Sequence, residues 1–337
     1  MNTPLYPGFQ DAYLAQLRET FENAEYRNAP RGFKSRERIG VGFGLRSPVQ
    51  RHVCLPTRKA NLVFNFAEAL WYLSGTNELD FIGYYASSIA HYSQDGRTLQ
   101  GTAYGPRIFR HPPDGLDQWQ SVLRTLREDP DSKRAVMQIF TPRELTVPGN
   151  IDVACTLALQ FMIREGKLCA VGFMRANDAF RGMVSDVFSF TFLQEVMARE
   201  LGVDVGTYSH HVGSVHVYDS DVERAARVLA EAAEGKVPAI PFPAMPKRDN
   251  WPYIQQVLSW EARLRSDSVR LSSSALERLD LPPYWRDVIG LFECYRQVRH
   301  GTGRAPEVAA VLPGLHRRAL AIRWPQHFAE VLADCRS

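Results

Sequence analysis

The chain of 337 residues is 45% hydrophobic and 23% charged, a globular composition with enough apolar residues for a large core in one domain or two. Its net charge of +3 is too small to indicate a nucleic-acid partner. The five cysteines are odd in number and lack a C-x-x-C pair, which argues against a secreted disulfide framework or a zinc site.

The N-terminal segment lacks the basic start and apolar run of a signal peptide. No apolar stretch reaches the ~18 residues that a membrane-spanning helix needs. We therefore expect a cytoplasmic protein with no membrane partner.

The first part of the chain is predicted to be mainly helical. Apolar spacing predicts helices over residues 11–26, 59–74 and 117–128, with Gly75 ending the second. Residues 31–47, rich in glycine and arginine, are predicted to form a loop that runs into a strand.

The second part mixes strands and helices. Strands are predicted over 134–141, 154–163, 167–174 and 211–217, with a tight hairpin at Arg164-Glu165-Gly166. Ser185 is predicted to cap a buried helix over 186–201 that ends at Gly202. A helix over 221–234, an extended segment with four prolines over 236–250, and helices over 251–264, 284–299 and 315–334 follow. Without regular βαβ alternation, this order favours an α+β fold over a doubly wound sheet.

Cys155, at the start of a predicted strand, is a candidate nucleophile. Most cysteines in such a position are inert small hydrophobes. A reactive thiolate needs nearby positive charge, and Arg175 lies one hairpin away on the neighbouring strand.

Several charged side chains have both a structural and a functional interpretation. Arg175-Ala176-Asn177-Asp178 could be a turn with a salt bridge, or a phosphate ligand beside a carboxylate that fixes the backbone. The basic groups Arg36, Arg38 and Lys133-Arg134 could be solvated, or could join Arg175 in a phosphate cage.

Two carboxylates and one alternating pair are also ambiguous. Glu68 could point to solvent, or inward, where burial would raise its pKa and allow proton transfer. Asp186 could simply be a negative charge that stabilises the N-terminus of its helix. His216 and Tyr218 share one strand face, which indicates packing more often than ligand binding.

Eight ordered segments together resemble the thymidylate synthase family, from about Arg36 to about Glu223. They are the Cys155 strand, R-I-G-V-G (38–42), F-A-E-A-L-W-Y-L (66–73), A-Y-G (103–105), D-P-D-S-K-R (129–134), R-A-N-D-A-F-R-G (175–182), D-V-F-S-F (186–190) and V-H-V-Y (215–218).

The resemblance implies a three-layer α+β fold with a large mixed sheet, and a homodimer formed through that sheet. It implies a catalytic domain over residues 1–250, with a mostly helical extension over 251–337 packed on the same domain. The co-substrate would be 5,10-methylenetetrahydrofolate, and no metal is implied.

The resemblance also implies roles for individual residues. Cys155 would add to carbon 6 of a pyrimidine nucleotide, while Glu68 and Tyr104 would organise water and proton transfer. The nucleotide phosphate and sugar would be held by a larger set: Arg38, Arg134, Arg175, Ala176, His216 and Tyr218, with Lys133 and Arg134 donated by the partner subunit. Asp178 and Gly182 would contact the folate, with Asp178 also bordering the substrate.

Asp186 departs from the family pattern, because a uracil-specific synthase has asparagine at this position. A carboxylate accepts from the 4-amino group of cytosine and, when its proton is shared, can donate to N3. The related deoxycytidylate hydroxymethylases also have aspartate here. Asp186 therefore indicates a cytosine nucleotide as substrate and a catalytic role in reading its base.

Three further departures concern the sugar, the phosphate and the end of the chain. Ala176 replaces a serine and Lys133 an arginine, changes that could shift the nucleotide and admit a ribose 2′-hydroxyl, so that CMP is favoured over dCMP. The final residues 333–337 do not resemble the apolar tail of the synthases, which fits hydroxymethylation by water.

The expected activity is therefore hydroxymethylation of carbon 5 of CMP. A dCMP hydroxymethylase and a thymidylate synthase proper are the alternatives within the enzyme class. A nucleotide- or RNA-binding protein with the fold but no turnover is the alternative outside it.

Overall fold

A computed structural model describes residues 3–235, 240–301 and 305–331 of the chain. Its helices are α1 Phe9–Glu22, α2 Leu62–Ser74, α3 Leu79–Tyr85, α4 Tyr104–Phe109, α5 Gln118–Glu128, α6 Gly182–Leu201, α7 Val222–Ala233, α8 Trp251–Arg265, α9 Ser273–Glu277, α10 Pro283–His300, α11 Ala305–Ala310, α12 Gly314–Arg323 and α13 Pro325–Phe328. None of the described helices combines the length and apolar character needed to cross a membrane.

One large mixed sheet organises the fold. Its strands are β1 Leu5–Tyr6, β2 Tyr26–Asn28, β3 Ser35–Leu45, β4 Val136–Gln138, β5 Thr156–Arg164, β6 Lys167–Asp178 and β7 Asp204–Tyr218. The order is β1-β3-β7-β6-β5-β4, with β2 beside β3. The pairs β1–β3 and β6–β7 are parallel and the others antiparallel. The α+β expectation and the mixed sheet are confirmed.

Helices cover one face of this sheet in successive layers. Helix α6 packs directly on β6 and β7, α2 packs on α6, and α8 and α10 pack on α2. Phe66 of α2 meets Phe188 and Phe192 of α6, with ring centroids 5.2 and 5.9 Å apart. Helix α6 is therefore apolar almost all round because the sheet and the helical layers enclose it.

Local sequence signals account for several boundaries. The Asn61 side chain accepts from the backbone N–H of Phe64 at the start of α2, and Gly75 ends that helix with φ 70°. Gly202 ends α6 in the same way, with φ 71°. The predicted hairpin between β5 and β6 is confirmed, with φ 51° at Glu165 and 69° at Gly166.

The structure corrects some predicted boundaries. Helix α1 ends at Glu22 with Asn23 as its C-cap, and β2 begins at Tyr26. The strand predicted over 134–141 is only Val136–Gln138. The predicted helix over 315–334 is broken into α12 and α13 before Pro325, and residues 332–337 lie outside the described part. The predicted extended segment over 236–250 falls partly on residues 236–239, which are also outside the described residues.

Ser185 does not cap α6, so that prediction is wrong. The helix begins at Gly182, and the Ser185 hydroxyl instead donates to Asn65 Oδ1 at 3.2 Å. The backbone amides of Phe180 and Arg181 donate to Asp178 Oδ1 in the turn before α6, and the helix begins four residues earlier than predicted.

Strand β6 is longer than predicted and includes residues 175–178, which pair in parallel with β7. The buried residues of both strands are even-numbered up to Met174 on β6 and Val212 on β7. They are odd-numbered from Asn177 and Val215 onward. A Cβ atom at Gly213 would lie 2.8 Å from the carbonyl oxygen of Arg175, so this close approach of the two strands requires glycine.

Candidate active site

Cys155 lies directly before β5, where Arg175 of β6 holds it from two sides. The backbone amide of Arg175 donates to the Cys155 carbonyl at 2.8 Å, and its Nη2 lies 3.6 Å from Cys155 Sγ. The same guanidinium donates to the carbonyls of Ala154 and Val153, each at 2.9 Å. The predicted proximity of the thiol and the guanidinium is therefore confirmed.

Opposing influences act on the Cys155 thiol. Burial raises its pKa most, and the charges of Asp186 and Asp152 add to the increase. The Arg175 and Arg31 guanidinium groups lower the pKa. No sequence motif marks Arg31 as a site residue, because its approach to the thiol depends on a backbone φ of 52° in a short turn.

The loop before Cys155 is held by the buried carboxylate of Asp152, another residue that sequence analysis did not single out. It accepts from the backbone amides of Gln100, Gly101 and Thr102 at 2.6, 3.0 and 2.7 Å. A Cβ atom at Gly101 would lie 2.0 Å from the Asp152 carbonyl oxygen. The loop that presents the cysteine is thus fixed against the segment leading into α4.

Asp186 points toward the sheet from the first turns of α6. Asn177 Nδ2 donates to Asp186 Oδ2 at 2.7 Å. Burial, together with the charge of Asp178, raises the pKa of Asp186 to about 7, although the hydrogen bond from Asn177 lowers it. Near neutral pH this carboxyl can therefore both accept and donate a hydrogen bond.

Glu68 is buried inside the α2–α6 interface and does not point to solvent. The Ser189 hydroxyl donates to Glu68 Oε2 at 3.0 Å. Burial and the nearby charge of Asp186 raise the pKa of Glu68 to about 8. A carboxyl with this pKa can take up or release a proton near neutral pH.

Tyr104 lies at the start of α4, in the same cluster. Its hydroxyl accepts a hydrogen bond from Thr156 Oγ1 at 3.0 Å, and its ring stacks on Tyr72 with centroids 4.8 Å apart. Burial raises the pKa of Tyr104 well above its usual value, with further contributions from Asp186 and Cys155. The phenol therefore stays protonated and can serve as a hydrogen-bond donor.

The remaining predicted residues border this cluster. Asp178 pairs with His216 across β6 and β7, and the rings of His216 and Tyr218 lie 4.9 Å apart on one face. Burial raises the pKa of Asp178. Gly182 opens α6, and a Cβ there would lie 3.3 Å from both Asn177 Nδ2 and Asp186 Oδ2.

The predicted phosphate ligands do not all meet within one chain. Arg38 is partly exposed, with Nε 4.0 Å from Glu25 Oε1. Arg36 is used elsewhere, since it donates to the Phe21 carbonyl at 2.9 Å and lies over the Phe21 ring. Arg36 is thus engaged with α1 through Nη1, and its place in the phosphate cage stays a prediction.

Lys133 and Arg134 are exposed at the opposite end of β5 from Cys155. Val136 pairs with Gln160, so Arg134 lies near the level of Met162. At ~3.3 Å per residue, that level is about 20 Å along β5 from the cysteine. Neither basic side chain can therefore reach the cysteine of its own chain.

Among the described residues, no group of three or more His, Cys, Asp or Glu side chains is placed to hold a metal ion. The cluster instead combines a thiol, two buried carboxyls of raised pKa, a phenol and a guanidinium. Such a set can perform nucleophilic addition and proton transfer on a polar ring.

Comparison with protein families matches residues 11–257 to thymidylate synthase. Three curated relatives carry the name deoxyuridylate hydroxymethyltransferase. The protein from Bacillus phage SP01 is 33% identical over 203 residues, which are 57% of this chain and 53% of the relative. The protein from Delftia phage PhiW-14 is 30% identical over 230 residues, 65% of this chain and 62% of the relative.

The third relative, from Pseudomonas phage M6, is 30% identical over 189 residues, which are 55% of this chain and 53% of the relative. The matched part of this chain thus spans between half and two thirds of the length of these relatives.

Proposed function

Because the chain belongs to the thymidylate synthase family, we propose that it transfers a hydroxymethyl group to carbon 5 of a cytosine nucleotide, with CMP as the substrate. One observation carries the proposal. The thiol of Cys155 lies 3.6 Å from the Arg175 guanidinium, in the same cluster as Asp186. The charge of Asp186 raises the pKa of that thiol, and its carboxyl is suited to bind the edge of a cytosine ring.

Cys155 starts the reaction as a thiolate that adds to carbon 6 of the pyrimidine, which makes carbon 5 nucleophilic. Carbon 5 then bonds to the methylene carbon of the donor and loses its proton. The bond between that carbon and the donor nitrogen breaks, so that tetrahydrofolate leaves and an exocyclic methylene group remains on the ring. Glu68 assists this proton transfer, since burial raises its pKa to about 8. Tyr104 donates a hydrogen bond that orders water in the cluster. Addition of water to the exocyclic carbon and departure of Cys155 yield the 5-hydroxymethyl nucleotide.

The one-carbon donor would be 5,10-methylenetetrahydrofolate, which supplies carbon at the oxidation level of formaldehyde. Asp178 and Gly182 fit a folate. Asp178 Oδ1 is occupied by two backbone amides, which leaves Oδ2 to accept from a ring N–H. Gly182 lies next to this carboxylate, since a Cβ atom there would be 3.9 Å from Asp178 Cβ.

A cytosine ring is favoured over uracil by Asp186. Its carboxyl, with a pKa raised to about 7, can donate to N3 while it accepts from the 4-amino group. The named activity of the phage relatives concerns deoxyuridylate, which makes a uracil nucleotide the second candidate substrate. A buried polar group left unpaired by the wrong base costs roughly 1–3 kcal/mol, so the site should discriminate clearly between cytosine and uracil nucleotides.

Within cytosine nucleotides, Lys133 and Ala176 favour ribose. Ala176 has no hydroxyl to offer the phosphate, and a lysine offers a point charge where an arginine would offer a planar fork. A shifted phosphate leaves room for a 2′-hydroxyl. With Asp186, this combination resembles the CMP 5-hydroxymethylase of mildiomycin biosynthesis.

Phosphate binding is proposed to be completed in a homodimer. Lys133 and Arg134 would act on the partner's nucleotide, beside Arg38 and Arg175 of that subunit, because they lie about 20 Å from their own cysteine along β5. The half-exposed side chains on the open face of the sheet support dimerisation there: Met162, Val171, Phe173, Ser209 and His211. His216 and Tyr218 would hold the sugar.

The catalytic domain is proposed to extend over residues 1–250, with 251–337 as a helical extension. Packing of α8 and α10 on α2 supports their association in one domain. The protein is proposed to act in the cytoplasm.

The decisive experiment incubates the protein with methylenetetrahydrofolate and CMP, dCMP, UMP or dUMP, followed by mass spectrometry of the products. A gain of CH2O on CMP is expected, without the rise in ultraviolet absorbance that dihydrofolate formation by a synthase would give. Cys155→Ala should bind nucleotide but not turn it over. Binding without turnover by the unaltered protein would instead support a nucleotide-binding role.

A further inference from the structure

A chain of buried hydrogen bonds runs from Asp186 into the core. Asn177 Nδ2 donates to Asp186 Oδ2 at 2.7 Å, and Asn177 Oδ1 lies 3.0 Å from His210 Nε2. The other ring nitrogen of His210, Nδ1, lies 2.7 Å from the Tyr208 hydroxyl. His210 and Tyr208 are fully buried, and burial lowers the pKa of His210 to about 3, so its ring is neutral and carries one N–H.

A neutral histidine allows this chain to run in only two directions. In the first, Tyr208 donates to His210, His210 donates to Asn177, and Asn177 donates to Asp186. In the second, all three donors become acceptors, and Asp186 must donate a proton from Oδ2. The hydrogen-bond pattern therefore decides which oxygen of Asp186 can carry a proton.

Tyr208 selects the first direction. Its hydroxyl lies against Gly172, where a Cβ atom would be only 2.5 Å away. In the described part of the chain, His210 Nδ1 is the only hydrogen-bond partner of this hydroxyl, so only the first direction gives its proton an acceptor. An unsatisfied buried hydroxyl is unfavourable, which disfavours the reverse direction.

The direction of the chain has a consequence for the base. Asp186 Oδ2 is held as an acceptor by Asn177, so a proton on the carboxyl resides on Oδ1. The Asp186 edge thus offers one donor and one acceptor in a fixed order. Cytosine offers an acceptor at N3 and a donor at its 4-amino group, whereas uracil offers the reverse order. A carboxyl with a fixed proton can match only one of them in a given ring orientation.

We propose that Tyr208, His210 and Asn177 are positioning residues that set the base specificity of the site. They direct the Asp186 proton to Oδ1, so that the pocket accepts a 4-aminopyrimidine nucleotide and rejects a 4-oxopyrimidine nucleotide. This inference rests on the proposed function, in which Asp186 faces the base. Two glycines support it structurally, since Gly172 leaves room for the Tyr208 hydroxyl and Gly182 for the contact between Asn177 and Asp186.

The test compares CMP with UMP in the unaltered protein and in Tyr208→Phe and His210→Phe. Tyr208→Phe removes the hydroxyl proton that selects the first direction and leaves His210 Nδ1 without a partner in either direction, and His210→Phe breaks the chain. Neither variant therefore holds the Asn177 amide in one orientation, and the CMP-to-UMP ratio of kcat/KM should fall by at least about tenfold. His210→Gln retains an N–H that can donate to Asn177 and should keep most of the discrimination. His316→Phe is the matched control, because neither ring nitrogen of this buried histidine has a hydrogen-bond partner among the described residues.

A second readout separates positioning from general damage to the fold. A reversed Asn177 amide would accept from Asp186 instead of donating to it, which raises the pKa of Asp186. The limb of the pH profile governed by Asp186 should therefore move to higher pH in Tyr208→Phe and His210→Phe, and stay in place in His316→Phe. Circular dichroism identifies the folded variants. If His210→Phe does not fold, Tyr208→Phe alone tests the inference, because it removes only one oxygen atom.

Measuring the affinities for CMP and UMP by calorimetry distinguishes failure of the proposed function from failure of this inference. Hydroxymethylation of neither nucleotide by the unaltered protein would refute the proposed function, while the binding ratio would still test the hydrogen-bond chain. An unchanged CMP-to-UMP ratio in folded Tyr208→Phe, or no preference for CMP in the unaltered protein, would overturn the inference.

Discussion

Arg175 binds both the backbone and the side chain of Cys155: its amide donates to the Cys155 carbonyl at 2.8 Å, and its Nη2 lies 3.6 Å from Sγ. One residue of β6 therefore positions the cysteine and also lowers the pKa of its thiol. Since burial raises the same pKa, the reactivity of Cys155 depends on how far this guanidinium offsets the loss of hydration.

Replacing Arg175 with methionine should slow alkylation of Cys155. Removal of the cation raises the thiol pKa, so at pH 8 the rate of reaction with iodoacetamide should fall by about three- to tenfold. Peptide mapping by mass spectrometry distinguishes Cys155 from the other cysteines. Arg248→Met, at an exposed position outside the cluster, serves as control. An unaltered rate would show that Arg175 does not tune the thiol.

Glu68→Gln should change how stability depends on pH. The folded protein raises the pKa of Glu68 to about 8, so between pH 5 and pH 8 the unfolded chain loses this proton while the folded chain keeps it. Stability of the unaltered protein therefore falls as pH rises, by up to about 1.4 kcal/mol per pH unit from this group. The variant lacks this loss and should gain relative stability toward pH 8.

Urea unfolding at pH 5.5 and pH 8 measures that difference, with Glu128→Gln on an exposed helix end as control. The interpretation of Glu68 as a buried carboxyl is wrong if the difference in unfolding free energy between Glu68→Gln and the unaltered protein is the same at both pH values.

Asp186→Asn should move base preference from cytosine toward uracil. An amide can donate to O4 and accept from N3–H, whereas it cannot satisfy cytosine in the same orientation. We expect the CMP-to-UMP ratio of kcat/KM to fall by at least about tenfold. Product analysis by mass spectrometry gives the ratio. Retention of the cytosine preference would remove Asp186 from base recognition.

The double substitution of Lys133 by arginine and Ala176 by serine should shift sugar preference toward dCMP. The arginine fork and the serine hydroxyl strengthen and relocate the phosphate contacts, which closes the space for a 2′-hydroxyl. The readout is the CMP-to-dCMP ratio of kcat/KM, with each single variant measured alongside. If the ratio does not change, these two residues do not select the sugar.

Mixing two inactive variants tests the shared site. Cys155→Ala and Arg134→Ala should each lose turnover, and subunit exchange between them should restore about a quarter of the original sites by random pairing in a symmetric dimer. Activity after mixing, compared with each variant alone, is the measurement. Failure to recover activity in a mixed dimer verified by native mass spectrometry would contradict donation of Arg134 across the interface.

The sequence by itself determined the α+β class, the positions of α2 and the β5–β6 hairpin, and the family. These depend on local signals such as Gly75, Gly166 and ordered motifs, which act over a few residues. The proximity of Cys155 and Arg175 could also be predicted from the sequence, because a tight hairpin fixes the register of its two strands.

Only the tertiary structure decided which groups surround Asp186. The contact between Asn177 and His210 depends on the change of buried side near Gly213, where β6 and β7 approach closely, and this change has no local sequence signature. The approach of Arg31 to the thiol and the burial of Glu68 likewise depend on packing between segments distant in sequence. Periodicity predicts the elements, but desolvation and hydrogen bonding across them set the chemistry of the site.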